Sequence, residues 1–126
     1  ELARLTQIDY AREMAFIATR PLAGGGEETL GTVRVVIDPD NRDAEFGVIV
    51  RSDLKGGGLG RRLMDKMAQH LRQRGTQRMV GNVLRENAGM LELAHALGFQ
   101  ESAHPGEPDD RGLRFVSLDL QSPPRA

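Results

Sequence analysis

The chain has 126 residues, 39% of them hydrophobic, with 17 Lys and Arg against 18 Asp and Glu, the composition of one ordinary globular domain. A net charge of -1 excludes broad electrostatic attraction to nucleic acid or an anionic membrane, so an anionic ligand must be met by a local cluster of donors. The lack of cysteine excludes disulfides, thiolate metal sites and a cysteine nucleophile together.

The amino end, ELARLTQIDY, lacks the basic-then-apolar pattern of a signal peptide, and no apolar run is long enough for a bilayer, which fits a cytoplasmic compartment. Residues Glu1 to Thr6 read as the last turn of a helix, so the chain is expected to begin inside a longer polypeptide. Glu13 to Thr19, EMAFIAT, predicts a strand, and Pro21 with Ala23 to Glu27 predicts a loop. The Gly24-Gly25-Gly26 run belongs to that loop, since no helix pattern follows it and an anion site of this type uses a helix terminus. GTVRVVID, from Gly31, is rich in β-branched residues and stops at the turn residues Asp38-Pro39-Asp40-Asn41. AEFGVIV, from Ala44 to Val50, completes an antiparallel hairpin. Alternation there puts Phe46, Val48 and Val50 on one face and Glu45, Gly47 and Ile49 on the other.

From Leu59, apolar residues at 59, 63, 64, 67 and 71 follow the helical period and predict a helix ending at Gly75. RMVGNVL predicts a strand over 78–84. A second helix is expected from Asn87 to Leu97, with Gly98 as terminator and Phe99 as packing anchor. After a loop-like segment, Ser102 to Gly112, LRFVSLDL supplies a last strand, and QSPPRA, from Gln121, reads as a frayed tail.

The chemistry is concentrated in DLKGGGLGRRLM, which sets Gly56, Gly57, Gly58 and Gly60 at the mouth of the first helix. Glycines bring amides close to a ligand, and the first four N–H groups of a helix lack intrahelical partners at the positive end of its dipole. A phosphate-bearing ligand suits both features. Arg51, Lys55, Arg61 and Arg62 would add local positive charge. A P-loop would need GxxxxGK[ST], and a dinucleotide fold an acid about 20 residues on, where Met79-Val80-Gly81 stands instead. A plain helix cap or hinge is the other reading of these glycines.

Lys55-Gly56-Gly57-Gly58-Leu59-Gly60 resembles the (R/Q)-x-x-G-x-(G/A) signature of the GNAT-type acetyltransferase superfamily, with Lys at the usual Arg/Gln place. NAGMLELAHALGF resembles that family's Asn-led helix and closing LGF. QIDYAREMAFIA, DPDNRDAEF and VRSDLKGGGLG together resemble the acetyltransferase domain of bacterial protein lysine acetyltransferases, often fused to an ADP-forming acyl-CoA synthetase-like region. The resemblance implies a GNAT-type α/β domain over residues 1–120, a mixed, bent sheet with splayed central strands flanked by helices, and a disordered tail over 121–126. It implies acetyl-CoA as co-substrate and no metal. The backbone of Val48, Ile49 and Val50 would meet the pantetheine arm, and amides from Gly56 through Gly57, Gly58, Leu59 and Gly60 to Arg61 would receive the pyrophosphate. Lys55 would help through backbone or charge, and Asn87 would hydrogen-bond the pantetheine, cap its own helix, or both. The family's first strand and first helices are absent from this reading, with Glu1 to Thr6 the remnant of the second helix and a sheet edge left open.

Acetyl transfer needs a neutral amine, a polarised carbonyl and a proton for the leaving thiolate, and without cysteine direct attack in a ternary complex is the economical route. Glu45 is the candidate base, with Glu86 in reserve; the bland alternative for Glu45 is a strand-end carboxylate paired with Arg42 or Arg34. Many family members place an acidic tyrosine where this chain has Ala94, and its single tyrosine, Tyr10, is distant in sequence. His95 and His70 read as solvated helix residues, and His104 lies in the loop before the last strand. The expected reaction is acetylation of a lysine on a metabolic protein such as an acyl-CoA synthetase. A small-molecule amine acetyltransferase and a non-catalytic acyl-CoA sensor are the alternatives.

Overall fold

The computed structural model describes residues 3–103 and 112–121. Its strands are β1 (Arg4–Asp9), β2 (Glu13–Pro21), β3 (Glu27–Ile37), β4 (Asp43–Val50), β5 (Arg78–Leu84), β6 (Gln100–Ala103) and β7 (Leu113–Asp119); helix α1 (Leu59–Arg74) lies between β4 and β5, and α2 (Ala88–Ala96) between β5 and β6. They form one seven-stranded sheet in the order β1-β2-β3-β4-β5-β7-β6. The predicted hairpin, both helices and the strands at 78–84 and 113–119 are all present. Among the described residues no helix is long and apolar enough to cross a membrane.

Two expectations are corrected. The helix remnant expected over Glu1 to Thr6 is not found in its described part: from Arg4 the chain is extended and pairs antiparallel with β2, from Arg4 opposite Thr19 to Asp9 opposite Met14, while Glu1 and Leu2 lie outside the described residues. The spacing of Leu5 and Ile8 mimics a helical turn, yet a tight turn closes the strand into a hairpin, with the Tyr10 N–H donating to the Glu13 carbonyl at 2.7 Å. The sheet edge expected to stand open beside β2 therefore carries β1. The segment from Ser102 to Gly112 is not all loop, because Ser102 and Ala103 belong to β6, a polar strand with no apolar alternation, paired with β7. Residues 104–111 and 122–126, with His104 and the tail, lie outside the described residues.

The core forms because one face of α1 meets one face of the sheet. Leu63, Met64, Met67 and Leu71 of α1 are buried, as are Met14 and Phe16 of β2, Val33 and Val35 of β3 and Ala44 of β4. The helix ends as predicted at Gly75, whose left-handed backbone (φ 81°) returns its N–H to the Arg72 and Leu71 carbonyls.

Among the described residues every strand pairing is antiparallel except one. The β4–β5 contact is parallel and lasts only three residue pairs, Asp43–Arg78, Ala44–Met79 and Glu45–Val80. Both strands continue beyond it, β4 to Val50 and β5 to Leu84, so the sheet forks there. Phe46 fills the base of the fork: its ring lies edge-on to Phe99, centroids 5.5 Å apart, and covers Gly81 of β5. A Cβ on Gly81 would sit 2.7 Å from Cζ of that ring, well inside contact distance. Gly81→Ala is therefore expected to destabilise the domain by about 1–3 kcal/mol through overpacking, measured as a lowered midpoint in urea.

Candidate active site

The fork opens into a cleft of about 530 Å³, walled on one side by Val48, Ile49 and Val50 and on the other by α2. Beyond Glu45 the β5-facing edge of β4 has no partner strand among the described residues, so its peptide groups are open to an extended ligand. At the mouth, Lys55, Gly56, Gly58, Gly60 and Arg61 line the cleft, joined by Asn87. Gly57 and Leu59 are off the wall: the Gly57 N–H donates to the Leu54 carbonyl at 3.2 Å, and the Leu59 side chain is buried in the core.

The start of α1 leaves several backbone amides without a partner in the chain. The first helical bond of α1 is from the Arg62 N–H to the Gly58 carbonyl, at 3.0 Å. Among the described residues no backbone carbonyl accepts from the amides of Leu59, Gly60 or Arg61, and no side chain caps the helix. Gly58, the residue before the helix, has φ 86°, a conformation that L side chains adopt rarely. Gly60 and Arg61 bring two of these free donors, with the positive helix end, to the cleft entrance.

The cations divide into two groups. Lys55 and Arg61 line the cleft, with Arg61 at 3.8 Å from Asp65 on its own helix. Arg51, expected to face the anion, does not: Nε and Nη2 donate to Asp53 at 3.0 and 2.6 Å, and Nη1 donates to Glu28 at 2.8 Å. Glu28 also accepts from Arg20 Nε at 2.7 Å. These bonds from Arg20 and Arg51 hold the Glu28 carboxyl below the usual carboxylate range, while Asp53 and then Glu28 raise the already high pKa of Arg51. Arg51 is thus a brace between β3 and the turn that leads into the glycine loop. Arg62 is exposed and off the cleft wall.

Asn87 caps its own helix, one of the two roles expected of it. Its Oδ1 accepts from the Met90 N–H at 3.1 Å, capping α2, while the residue also lines the cleft. Met90 and Leu93 of α2 complete the wall, and sequence reasoning missed them; their three-residue spacing on the second helix was the available signal.

Glu45 stands at the vertex of the fork, in the last parallel pair, but on the other face of β4 from Phe46 and Val48. It is exposed, and lies in a depression with Tyr10, Glu13, Val36 and Val80. No pair with Arg42 or Arg34 forms. The turn after β1 brings Tyr10 to this depression despite its sequence distance, which only the β1–β2 hairpin makes possible. Ala94, at the family's tyrosine position, is fully buried. Glu86 is exposed and off the cleft wall.

His95 is exposed as expected but is bonded as well, and His70 departs from its predicted setting. His95 Nε2 lies 2.8 Å from Glu101 Oε1, and Arg114 Nε donates to Glu101 Oε2 at 2.6 Å, so a side chain expected to be solvated ties α2 to β6. Arg114 and then His95 hold the Glu101 carboxyl below its usual range. His70 is half-buried, its ring edge-on to Phe16 at 5.9 Å. Among the described residues no three His, Asp or Glu side chains converge as a metal site.

Residues 2–99, which include both strands of the fork and the glycine-led helix, match the family model described as Acetyltransferase (GNAT) family. The chain belongs to the GNAT acetyltransferase family. Among curated proteins this GNAT chain is 36% identical over 74 residues to the L-methionine sulfoximine/L-methionine sulfone acetyltransferase of Salmonella typhimurium, covering 59% of this chain and 43% of that protein. It is 27% identical over 123 residues to the L-amino acid N-acyltransferase MnaT of Escherichia coli, covering 88% of this chain and 71% of that one. The chain thus spans less than half of the first relative's length. The structure of the GNAT protein yncA from Salmonella typhimurium with its cofactor acetyl-CoA superposes with a TM-score of 0.69 at 24% identity, covering 90% of this chain and 68% of that one. The likeness is one of fold: this chain's mixed seven-stranded sheet with two flanking helices matches the GNAT architecture.

Proposed function

We propose that this domain transfers acetyl from acetyl-CoA to the amine of a small molecule, by direct attack in a ternary complex. The observation that carries the reading is the fork itself: an unpaired β4 edge leading to three free amides at a helix N-terminus, a pattern that fits a pantetheine arm ending in a pyrophosphate. When bound, acetyl-CoA supplies an activated thioester. The chain's own groups then have three tasks. Amides of Leu59, Gly60 and Arg61, with Lys55 and Arg61 beside them, hold the anionic end. Val48 to Val50 orient the arm toward the vertex. Glu45 accepts the proton of the acceptor's ammonium, directly or through water, so that a neutral amine is presented. With no cysteine and no tyrosine at position 94, the leaving thiolate is left to solvent or backbone amides.

A small-molecule acceptor is favoured because the curated relatives are named for amino acids and amino-acid derivatives. Acetylation of a lysine on a folded protein, the reading taken from the sequence resemblance, is the second possibility, and the exposure of Glu45 on the sheet face favours it. Purified protein should be given acetyl-CoA with free amino acids, spermidine and a lysine-rich acyl-CoA synthetase in parallel, with thiol release and product mass measured. Acetylated small amines support the proposal. Transfer to the protein alone supports the second reading, and tight acetyl-CoA binding with no transfer to any acceptor leaves a non-catalytic sensor.

A further inference from the structure

The sheet face that carries Glu45 holds a second group that the reaction as described does not use. Strand register sets three rows across β2, β3 and β4: Glu13–Val36–Glu45, then Ala15–Arg34–Gly47, then Ile17–Thr32–Ile49. Arg34 therefore stands between the two smallest neighbours in the array, and a Cβ on Gly47 would meet nothing within 4 Å. Glu45 is its diagonal neighbour on the same face, a relation that puts Cβ atoms somewhat less than about 7–8 Å apart. Among the described residues neither side chain makes an ion pair or a side-chain hydrogen bond, with the other or with any third group. The anion lines one depression and the cation the next, the two sharing Tyr10 and Glu13, with the space over Gly47 open beside Arg34.

We infer that these adjoining depressions receive the two charged groups of a free α-amino acid, with Arg34 as the receptor for its carboxylate. The inference rests on the proposed acetyl transfer and names its acceptor class. An α-amino acid carries ammonium and carboxylate on one carbon, the complement of Glu45 and Arg34 in adjacent rows. The guanidinium offers a planar fork of donors that matches a carboxylate. Glu13, in the Glu45 row and also diagonal to Arg34, adds negative charge at the ammonium end. The third row fixes the remaining specificity: Arg34 shares a depression of about 440 Å³ with Ile8, Ala15, Ile17 and Ile49, and Ile49 is 73% exposed. A neutral, apolar side chain belongs over those residues. A polyamine, which has no carboxylate, leaves Arg34 without a partner.

The test compares L-leucine, L-methionine and L-phenylalanine with their decarboxylated amines, under saturating acetyl-CoA, in wild type, Arg34→Met and Arg34→Lys. Losing a charged hydrogen-bond partner predicts a KM for the amino acids raised about 10–100-fold in Arg34→Met, partial recovery in Arg34→Lys, and little change for the amines. An acetyl-CoA dissociation constant equal to wild type shows that the donor site is intact. If wild type uses amines as well as amino acids, or Arg34→Met affects both alike, the carboxylate receptor is overturned while acetyl transfer stands. If wild type acetylates no amine of any kind, both fall.

Discussion

Glu45→Gln should lower turnover by about 10²–10⁴-fold, the usual contribution of general-base catalysis, while acetyl-CoA affinity stays near wild type. The separation of effects follows from position: Glu45 is at the fork vertex on the face away from the cleft that the donor would fill. Gln preserves shape and exposure and removes only basicity. Raising the pH should partly rescue the variant, because more of the acceptor's ammonium is then deprotonated without assistance. Rate–pH profiles of both proteins at saturating acetyl-CoA make the comparison. Wild-type turnover in the variant at neutral pH would return Glu45 to a strand-end carboxylate and move the search to an ordered water.

Gly58→Glu is expected to weaken acetyl-CoA binding by about 10–100-fold, the effect of displacing charge-assisted hydrogen bonds from a phosphate. The substitution puts a carboxylate beside the free amides of Leu59, Gly60 and Arg61, where it competes for the same donors. It also asks a side chain to adopt φ 86°, a strain of about 1–2 kcal/mol, partly offset by negative charge at a helix N-terminus. Gly58→Ala carries the strain without the charge and serves as the control. Calorimetric titration with acetyl-CoA reads both. Equal affinities in wild type and the Glu variant, with the fold retained, would make the glycines a simple hinge.

What was legible in the sequence is what short stretches decide. The glycine loop announced its helix terminus because backbone freedom and helix periodicity are both local, and Asn87 announced its cap for the same reason. The alternation of β4 placed Glu45 opposite Phe46 correctly. Long-range pairing was not legible. Arg4 to Asp9 has weak alternation, and only the antiparallel partner β2 makes it a strand; Gln100 to Ala103 has no apolar signal, and only β7 defines it. The same limit hid the site's neighbours. Arg51 looked like a phosphate ligand until Glu28, 23 residues away in the chain, and Asp53 claimed its donors. Arg34 was read beside Glu45 from the hairpin alone, whereas Tyr10 reaches that face only through the β1–β2 turn, which composition and spacing do not encode.

The brevity of the β4–β5 contact makes the donor part of the architecture. Three parallel residue pairs are the seam between a four-stranded meander, β1 to β4, and a three-stranded unit, β5, β7 and β6. On the proposed reading, a pantetheine arm along Val48 to Val50 acts as a removable strand that extends this seam from within. Ligand binding to the folded state alone adds stability as RT ln(1 + [L]/Kd), and here that increment would fall on the joint between the two halves. The angle of the fork, and with it the distance from Glu45 to the reacting carbonyl, would then be set by the substrate as well as by the chain. Each turnover would loosen and restore the sheet's continuity, so that catalysis and mechanical integrity share one row of peptide groups.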